Sequence, residues 1–549
     1  MKKIVLAVIA LSLLFSWSHA QNLQLEERLE QDKEYGRLFA LESEKLVEIN
    51  YDKKASSRKT HVYRVNIYSS DLEIVEEYVV ELNNEYYLVT NSSQMGVTSV
   101  GLLNSDPNKF AVVLYDRFGK EKNAAFIFIN LESGSVEVIE NPMPRRTKDW
   151  YSFYIDDKIT FIGQDNKQGF FMLEMEEGAG HPSKPKFLKI LPKGMKNKSY
   201  KLDNVEYIES EGKFYASALR YEKDVKMPVT EIMTISMDGR VESRTDFTPE
   251  KGFFYFDISF IPQENGTYYL TGSVSDKWSG KNMARMTLSP YSSAFFITEW
   301  ENNELNFHKS IPYTDMDSIT YYYIKGVYEN RIGNSEAKAK RRMAKIDAKK
   351  KKREEKGKDE KYWQVALKVR DVEVINGMLI VPVEFFSPYY ITETTTNSNG
   401  MQTTRTRLVG FFQQSGGLIA LNEKDGEYLW DVGYTMPFGQ YTWHLPNMTQ
   451  MNTGFENEIH VAFAAALEIN YFIFDYNGQR TFKKEGVLEP EEISLDAEMV
   501  KNRGRVSFNH WYDNNYIITG AQKIRDNDAS FGNKRRNVNF LSKYSYSPR

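Results

Sequence analysis

The chain carries a recurring unit in which a polar turn precedes a short apolar run. One copy reads Asp157-Lys-Ile-Thr-Phe-Ile-Gly163, and six others follow the same plan. The seven copies begin at Asn108, Asp157, Glu211, Asn265, Asn376, Asn457 and Asp513. A period of about 50 residues is typical of arrays of small sheets, because each unit buries its apolar face against the next one.

Each unit divides into four short runs with alternating apolar residues. The unit over 203–247 contains Asn204–Glu209, Lys213–Arg220, Thr230–Met237 and Arg240–Phe247. Period-two alternation predicts half-buried strands. An Asp-Gly or Asn-Gly pair often joins the last two runs, as at Asp238-Gly239, and this pair predicts a tight hairpin. We therefore expect an all-β protein built from four-stranded blades, that is, a β-propeller.

The number of blades depends on how the two chain ends are used. Six units lie near 98–142, 150–192, 203–247, 253–312, 370–435 and 446–485. If strands within 60–80 complete a blade with 506–546, the ring has seven blades and no exposed sheet edge. Eight blades are the alternative if residues 38–90 form a blade alone. This interpretation assigns the propeller to residues 60–549, after a lead segment over 21–59, with a solenoid or stacked sandwiches as the competing architecture.

The N-terminal residues 1–20 are typical of a secretory signal peptide. A short basic start precedes an apolar run of about 14 residues, which is too short to span a bilayer. We expect cleavage after Ala20 and export, with an uncleaved membrane anchor as the alternative and no transmembrane segment elsewhere. The chain has no cysteine, and this exported, disulfide-free character predicts a periplasmic, extracellular or cell-surface protein of a Gram-negative bacterium.

The usual signatures of catalysis and cofactor binding are missing from the sequence. The absence of cysteine excludes thiolate metal sites, iron–sulfur clusters and thiol nucleophiles. The histidines show no metal-binding spacing, and there is no nucleophile elbow or phosphate-binding loop. We therefore predict no cofactor and no metal, and a non-catalytic role is favoured.

Two insertions interrupt the repeat. Residues 387–408 are rich in threonine and predict a hairpin that extends from one blade. Residues 313–368 contain a basic stretch over 335–361 with 13 Lys or Arg and 6 Asp or Glu, in an otherwise acidic chain. Its strong helix formers predict a helical arm that stands off the propeller.

The basic arm is either a solvated connector or a contact site for an acidic partner. An anionic lipid, an envelope polysaccharide or an acidic protein surface would suit its charge. Nucleic acid is not expected, because the arm lacks interleaved aromatic residues and the chain is exported. The candidate contact residues of the arm are Arg341, Arg342, Lys349, Lys350, Lys351, Lys352 and Arg353.

A second candidate binding cluster combines aromatic and imidazole side chains. Trp443 and His444 begin one unit, while His510 and Trp511 fall on the expected inner strand of the last unit. Flat rings at a channel mouth can stack on sugars or planar ligands. Ordinary packing of an aromatic-rich core is the alternative interpretation.

One segment carries a family resemblance. In residues 417–431, Ala420, Asn422, Gly426 and Trp430 are spaced as in the tryptophan-docking repeat of quinoprotein-type (pyrroloquinoline-quinone-like) propellers. The resemblance implies a structural role for Gly426 and Trp430, with the tryptophan bracing neighbouring blades. It extends to fold but not to cofactor, because the family's vicinal cysteines and calcium-binding residues are missing.

These observations together predict an exported, non-catalytic β-propeller that binds a protein or polysaccharide in the cell envelope. Long insertions on a rigid scaffold favour partner binding. The alternative is a hydrolase or lyase that acts on glycans through carboxylates and histidines at the channel mouth.

Overall fold

A computed structural model gives the architecture of most of the chain. It describes residues 22–31, 36–41, 44–57, 59–83, 101–103, 106, 108–115, 123–165, 167–191, 196–222, 224, 226–263, 266–276, 292–301, 304–329, 335–356, 366–370, 372–396, 402–436, 449–465, 468–486, 497–502, 506–526 and 535–547. These residues form eight antiparallel sheets of four or five strands. The chain divides into two units, which comprise residues 1–57, 62–81 and 450–549 (unit 1) and residues 58–61 and 82–449 (unit 2).

Unit 1 holds three of the eight sheets. Its N-terminal strands are β1 (Asn22–Gln31), β2 (Arg37–Ala40), β3 (Leu46–Tyr51), β4 (His61–Tyr68) and β5 (Ile74–Leu82). Unit 2 follows with five sheets. Its strands are β6 (Gly101–Leu103), β7 (Lys109–Tyr115), β8 (Asn123–Asn130), β9 (Ser135–Pro142), β10 (Thr147–Ile155), β11 (Lys158–Asp165), β12 (Gly169–Glu176), β13 (Lys186–Phe187), β14 (Tyr200–Ile208), β15 (Lys213–Glu222), β16 (Met227–Ser236), β17 (Val241–Phe247), β18 (Phe254–Pro262), β19 (Tyr268–Ser275), β20 (Ala294–Glu301), β21 (Glu304–Pro312), β22 (Ala366–Val369), β23 (Glu373–Ile375), β24 (Met378–Thr396), β25 (Gln402–Asn422) and β26 (Tyr428–Thr435).

The chain then returns to unit 1. The C-terminal strands are β27 (Gln450–Phe455), β28 (Glu458–Ala465), β29 (Glu468–Asp475), β30 (Arg480–Gly486), β31 (Ala497–Asn502), β32 (Ser507–Tyr512), β33 (Asn515–Asp526) and β34 (Arg535–Ser547). Between β21 and β22 lie the helices α1 (Asp317–Glu329) and α2 (Ser335–Glu354). Most sheets run in simple chain order, as in β14-β15-β16-β17, so the all-β propeller class with an inserted basic helix is confirmed.

The repeated turn of the sequence has a clear conformational cause. In all seven copies it precedes the second strand of a sheet. The turn residues Asp157, Asn376, Asn457 and Asp513 adopt left-handed backbone angles, with φ of 61°, 49°, 61° and 43°. Short polar residues tolerate this conformation better than other residues that carry a side chain. In these four copies the Asn or Asp therefore marks the turn before the second strand of the repeat.

The described strands form eight blades and not seven, so the alternative prediction of eight blades is confirmed. Strands β2, β3, β4 and β5 form a sheet of their own. Its second strand also follows a left-handed residue, Glu44, with φ of 59°. The sequence pattern does not reveal this eighth copy, because the charged residue Glu48 interrupts the apolar run of β3. Glu48 is fully buried and accepts hydrogen bonds from the Gly36 amide at 2.7 Å and the Tyr68 hydroxyl at 2.7 Å.

Strands from both chain ends meet in the last sheet of unit 1. β34 lies between β1 and β33, and its pairing with β1 runs from Asn22↔Ser547 to Gln31↔Asn539. Residues 21–59 therefore contribute strands, which differs from the expectation of a lead segment and of closure through residues 60–80. The sequence of β1, NLQLEERLEQ, does not predict a strand clearly, because its spacing of leucines and charged residues is equally compatible with an amphipathic helix.

Apolar side chains from adjoining sheets form the core between them. In unit 2, for example, Val113 and Phe126 of one sheet cluster with Phe161 and Leu173 of the next. All four are at most 1% exposed. Burial of this kind supplies most of the favourable free energy of folding, and in unit 2 it fixes these two successive sheets against each other.

The inserted helices are docked on the last sheet of unit 2. Helix α1 contacts β25 and β26, and helix α2 contacts α1. A Cβ atom on Gly326 of α1 would lie 2.5 Å from the carbonyl oxygen of Gln414, so only glycine permits this close approach. Ala339 of α2 is fully buried. The first turns of α2 are therefore packed, whereas the sequence predicted a helix that stands away from the body.

Removal of β34 tests the pairing of the chain ends. Deleting residues 535–549 removes Phe540, Leu541, Tyr544 and Tyr546, each at most 1% exposed. Losing a large buried side chain costs about 2–5 kcal/mol, so the loss of four amounts to about 8–20 kcal/mol and is comparable to the whole free energy of unfolding of a domain, about 5–15 kcal/mol. We expect the truncated chain to lose the cooperative unfolding of unit 1 in calorimetry.

Deleting residues 548–549 alone is the matched control and should leave unfolding unchanged, because it removes no residue of β34. A folded chain without β34, with the unfolding temperature of the full chain, would contradict the pairing.

Candidate functional site

The predicted aromatic and imidazole cluster divides into a packed part and a part outside the described residues. Trp511 on β32 is 5% exposed, and its indole N–H donates to the Lys45 carbonyl at 3.1 Å. The His510 Nε2 lies 2.9 Å from the Asn452 amide nitrogen, and burial lowers the pKa of His510. Trp511 therefore belongs to the core of unit 1, whereas His510 on the same strand is only partly buried. Trp443 and His444 lie outside the described residues.

Two residues of the tryptophan-docking pattern, Gly426 and Trp430, lie at the outer edge of the last sheet of unit 2. Gly426 precedes β26 with φ of 67°. A Cβ atom on it would lie 2.8 Å from side-chain atoms of Ile297 and Phe307, which belong to the preceding sheet. Trp430 is partly buried on β26 and pairs in register with Ala420. Gly426 therefore permits close packing of two neighbouring sheets.

The basic helix α2 carries its cations on the exposed side. Arg341, Arg342, Lys349, Lys351 and Lys352 all have exposed side chains. Lys350 and Arg353 are part of the same helix, but their side chains lie outside the described part of the structure. Most of the predicted arm residues therefore form one continuous cationic surface.

A pair of carboxylates that the sequence analysis did not single out lies on the first strands of two adjoining sheets. Asp203 interrupts the β14–β15 ladder at a bulge, and Asp257 does the same between β18 and β19. Asp257 has a left-handed backbone with φ of 51°. Its amide N–H donates to the Asp203 carboxylate, which brings the two residues into direct contact.

The strand beside Asp257 is shaped to accept the bulge. A Cβ atom on Gly272 of β19 would lie 2.7 Å from the Asp257 carbonyl oxygen and 2.8 Å from that of Phe256. A side chain at this position would push the bulged backbone away. Backbone strain held in place by its surroundings is a frequent feature of functional sites, so this arrangement is a candidate site.

Burial and mutual repulsion set the protonation of the pair. Asp203 is partly buried, and this burial, followed by the charge of Asp257, raises the pKa of its carboxyl group from 3.8 to about 7. The ammonium groups of Lys201 and Lys368 act in the opposite direction. The Ser217 hydroxyl lies 3.4 Å from the Asp203 carboxylate. The Asp203 carboxyl group therefore retains its proton up to about neutral pH, as one member of a catalytic carboxylate pair does.

A sequence signal for this pair exists in retrospect. Asp203 and Asp257 occupy the first strands of successive units, one repeat apart. Each interrupts a run of alternating apolar residues, which a comparison of aligned units would reveal. The contact itself depends on two bulges, and no local pattern predicts them.

Neither a metal centre nor a membrane span emerges from the described residues. Within these residues, no three His, Asp or Glu side chains converge as metal ligands would. Neither α1 nor α2 has the length and apolar character needed to cross a membrane.

Comparison with known proteins yields fold-level similarity only. No protein-family model and no curated protein matches the chain. Among solved structures, the Dos1 propeller matches with 8% identity and a TM-score of 0.40, over 95% of each chain. The polysaccharide lyase Uly1 matches with 9% identity and a TM-score of 0.37, over 95% of this chain and 99% of the other.

A third similar structure belongs to a longer protein. A prolyl endopeptidase matches with 9% identity and a TM-score of 0.34 over 79% of this chain, which spans about half (48%) of that enzyme's length. These low similarities do not assign an activity. No protein-family model supports the resemblance of residues 417–431 to quinoprotein-type repeats.

The protonation of the carboxylate pair predicts a pH-dependent stability. From about pH 4 to about pH 7 the folded protein keeps a proton that the unfolded chain releases, because the pKa of Asp203 is raised from 3.8 to about 7. The free energy of unfolding therefore falls as pH rises through this range. Asp203→Asn should remove the contribution of this carboxyl group to the decrease in the free energy of unfolding. Asp257→Asn should lower the pKa of Asp203, because it removes a nearby negative charge.

Calorimetric unfolding between about pH 4 and pH 8 measures the first effect, and carboxyl NMR titration measures the second. The control is Asp224→Asn, at an exposed position, which should preserve the pH profile. If the free energy of unfolding of Asp203→Asn fell with pH as steeply as that of the unaltered protein, the raised pKa of Asp203 would be contradicted.

Proposed function

We propose that this chain is an exported binding protein of the cell envelope that holds an anionic polysaccharide through helix α2. The observation that carries the proposal is the array of exposed cations along this helix. Residues 335–354 include 10 Lys or Arg and 3 Asp or Glu. Twenty helical residues extend about 30 Å, a length that matches several sugars of an extended polymer.

The helix is fixed to the protein at its N-terminal part. Ala339 is fully buried, while Met343 and Ile346, four and seven residues further along, are partly buried. These three positions lie on one face of the helix. The opposite face is therefore presented to solvent in a constant orientation. A helix that is docked in one orientation loses less conformational entropy on binding than a flexible segment with the same charges does.

The cations are largely available to a partner. The described ion pair within the helix joins Lys340 and Glu336 at 2.9 Å, and both side chains are more than 60% exposed. Arg341, Arg342 and Lys345 are exposed on the following turn. A cluster of like charges attracts anionic polymers at long range and provides several contacts at once.

A charge-removing variant tests the proposal. The change Arg341→Gln, Arg342→Gln and Lys345→Gln should weaken binding of polygalacturonate about tenfold, because each lost surface contact contributes about 0.2–1 kcal/mol. Binding of the unaltered protein should also weaken as salt shortens the range of electrostatic attraction. Titration calorimetry with polygalacturonate and with uncharged dextran measures both effects.

The matched control replaces Lys53, Lys54 and Lys184 by glutamine, because these are exposed lysines outside the helix. It changes the net charge by the same amount and should bind as the unaltered protein does. Equal losses in both triple variants, or binding of dextran as tight as that of polygalacturonate, would contradict a role for α2.

Acid–base cleavage of a glycan is the second candidate function, and the Asp203–Asp257 pair favours it. A carboxyl group that keeps its proton up to about pH 7 can protonate a leaving oxygen, and a second carboxylate close to it can activate water or attack the sugar. The direct contact between the Asp257 amide and the Asp203 carboxylate keeps the two groups together. His510 lies in unit 1, whereas this pair belongs to unit 2.

Release of reducing ends from polygalacturonate tests the second candidate. If the pair is catalytic, Asp203→Asn and Asp257→Asn should each lower the rate at least about 100-fold, while Asp224→Asn keeps it. No release by the unaltered protein would exclude cleavage of this polymer and would leave the binding role of α2 intact.

A further inference from the structure

A groove in unit 2 is lined by residues other than those of α2 and the carboxylate pair. It is formed where the first strands of three successive sheets end, at residues 153–155 of β10, 206–210 at the end of β14, and 260–262 of β18. Its volume is about 670 Å³, which is within the range of small-ligand sites. The groove therefore has room for an extended segment of two or three residues or for a similarly sized ligand.

Aromatic rings form much of the groove lining. Phe153 and Tyr207 are partly exposed, and both pack against the buried Phe214, with ring centroids 5.2 and 5.3 Å away. Tyr154 and Phe260 complete the aromatic lining and are 7% and 4% exposed. Rings held by such contacts lose little freedom when a ligand binds, and their faces attract cations.

The remaining polar groups make the groove acidic. Glu206 accepts hydrogen bonds from the Phe260 amide at 2.8 Å and the Asn204 side chain at 2.6 Å, which hold its carboxylate in place. Glu209 is exposed at the rim. Burial, together with the charges of Asp156 and Glu209, raises the pKa of Tyr207. Among the described residues that line the groove there is no lysine, arginine or histidine.

We infer that this groove is a second binding site, which takes a lysine- or arginine-bearing peptide segment of a partner protein. The cationic end of such a side chain would lie between the rings of Phe153 and Tyr207 and the carboxylate of Glu209. Its aliphatic stem would pack on the apolar wall, as long basic side chains commonly do. Charge complementarity distinguishes this occupant from a neutral sugar, which needs no net negative lining.

The test uses the full chain and a short peptide with two lysines, acetyl-Ala-Lys-Ala-Lys-amide, with its Nζ-acetylated form for comparison. The charged peptide should bind at least about tenfold more tightly than the acetylated one. Glu209→Gln and Tyr207→Leu should each weaken that binding several-fold. Glu132→Gln is the matched control, because Glu132 is exposed in a turn outside the groove.

Three results would overturn the inference. Equal binding of the two peptides would show that charge is not recognised. Tighter binding of cellohexaose, lost in Tyr207→Leu but kept in Glu209→Gln, would assign the groove to a neutral sugar. Self-association in sedimentation that disappears in Glu209→Gln would assign it to a second copy of this chain. Because Glu209 is exposed, its variant should unfold at the temperature of the unaltered protein, which shows that lost binding is not lost folding.

Discussion

Apolar packing between successive sheets of the same unit stabilises this architecture more than any other interaction. An isolated four-stranded sheet leaves at least one apolar face in water, so it gains stability only against a neighbour. Val113 and Phe161, which belong to one apolar cluster between two successive sheets of unit 2, show how this is achieved. The same demand explains the glycines at the interfaces, because Gly426 lets one sheet approach Ile297 of the preceding one.

The repeat predicts the architecture well because it reports this constraint directly. Left-handed turn residues such as Asn376 and Asn457 precede buried second strands, and both features are local in sequence. The sequence pattern did not predict the blade over 37–82. Its second strand contains the charged residue Glu48, which is buried and accepts a hydrogen bond from Tyr68, 20 residues away. Helix α1 was missed for a similar reason. Its tyrosine-rich sequence favours a strand, and packing on β25 and β26 determines the helix.

The candidate sites differ in how far the sequence could reveal them. The basic helix was predictable because its charge and helix propensity are properties of one continuous segment. The Asp203–Asp257 contact was not, because it depends on two bulges and on the absence of a side chain at Gly272. The groove was hidden for the same reason, since its rings and carboxylates come from the ends of three separate strands. The predicted Trp511 proved to be a core residue, with its indole bound to a backbone carbonyl.

Hydrogen exchange of the full chain, with and without polygalacturonate, tests the central claim most directly, because it locates the bound polymer on the chain. The account predicts slower exchange in residues 335–354, the span of helix α2, and in the part of α1 that it contacts. Exchange in the groove strands β10, β14 and β18 should stay unchanged. Protection confined to those strands, or none in α2 under saturating polymer, would contradict the assignment of α2 as the polysaccharide-binding surface.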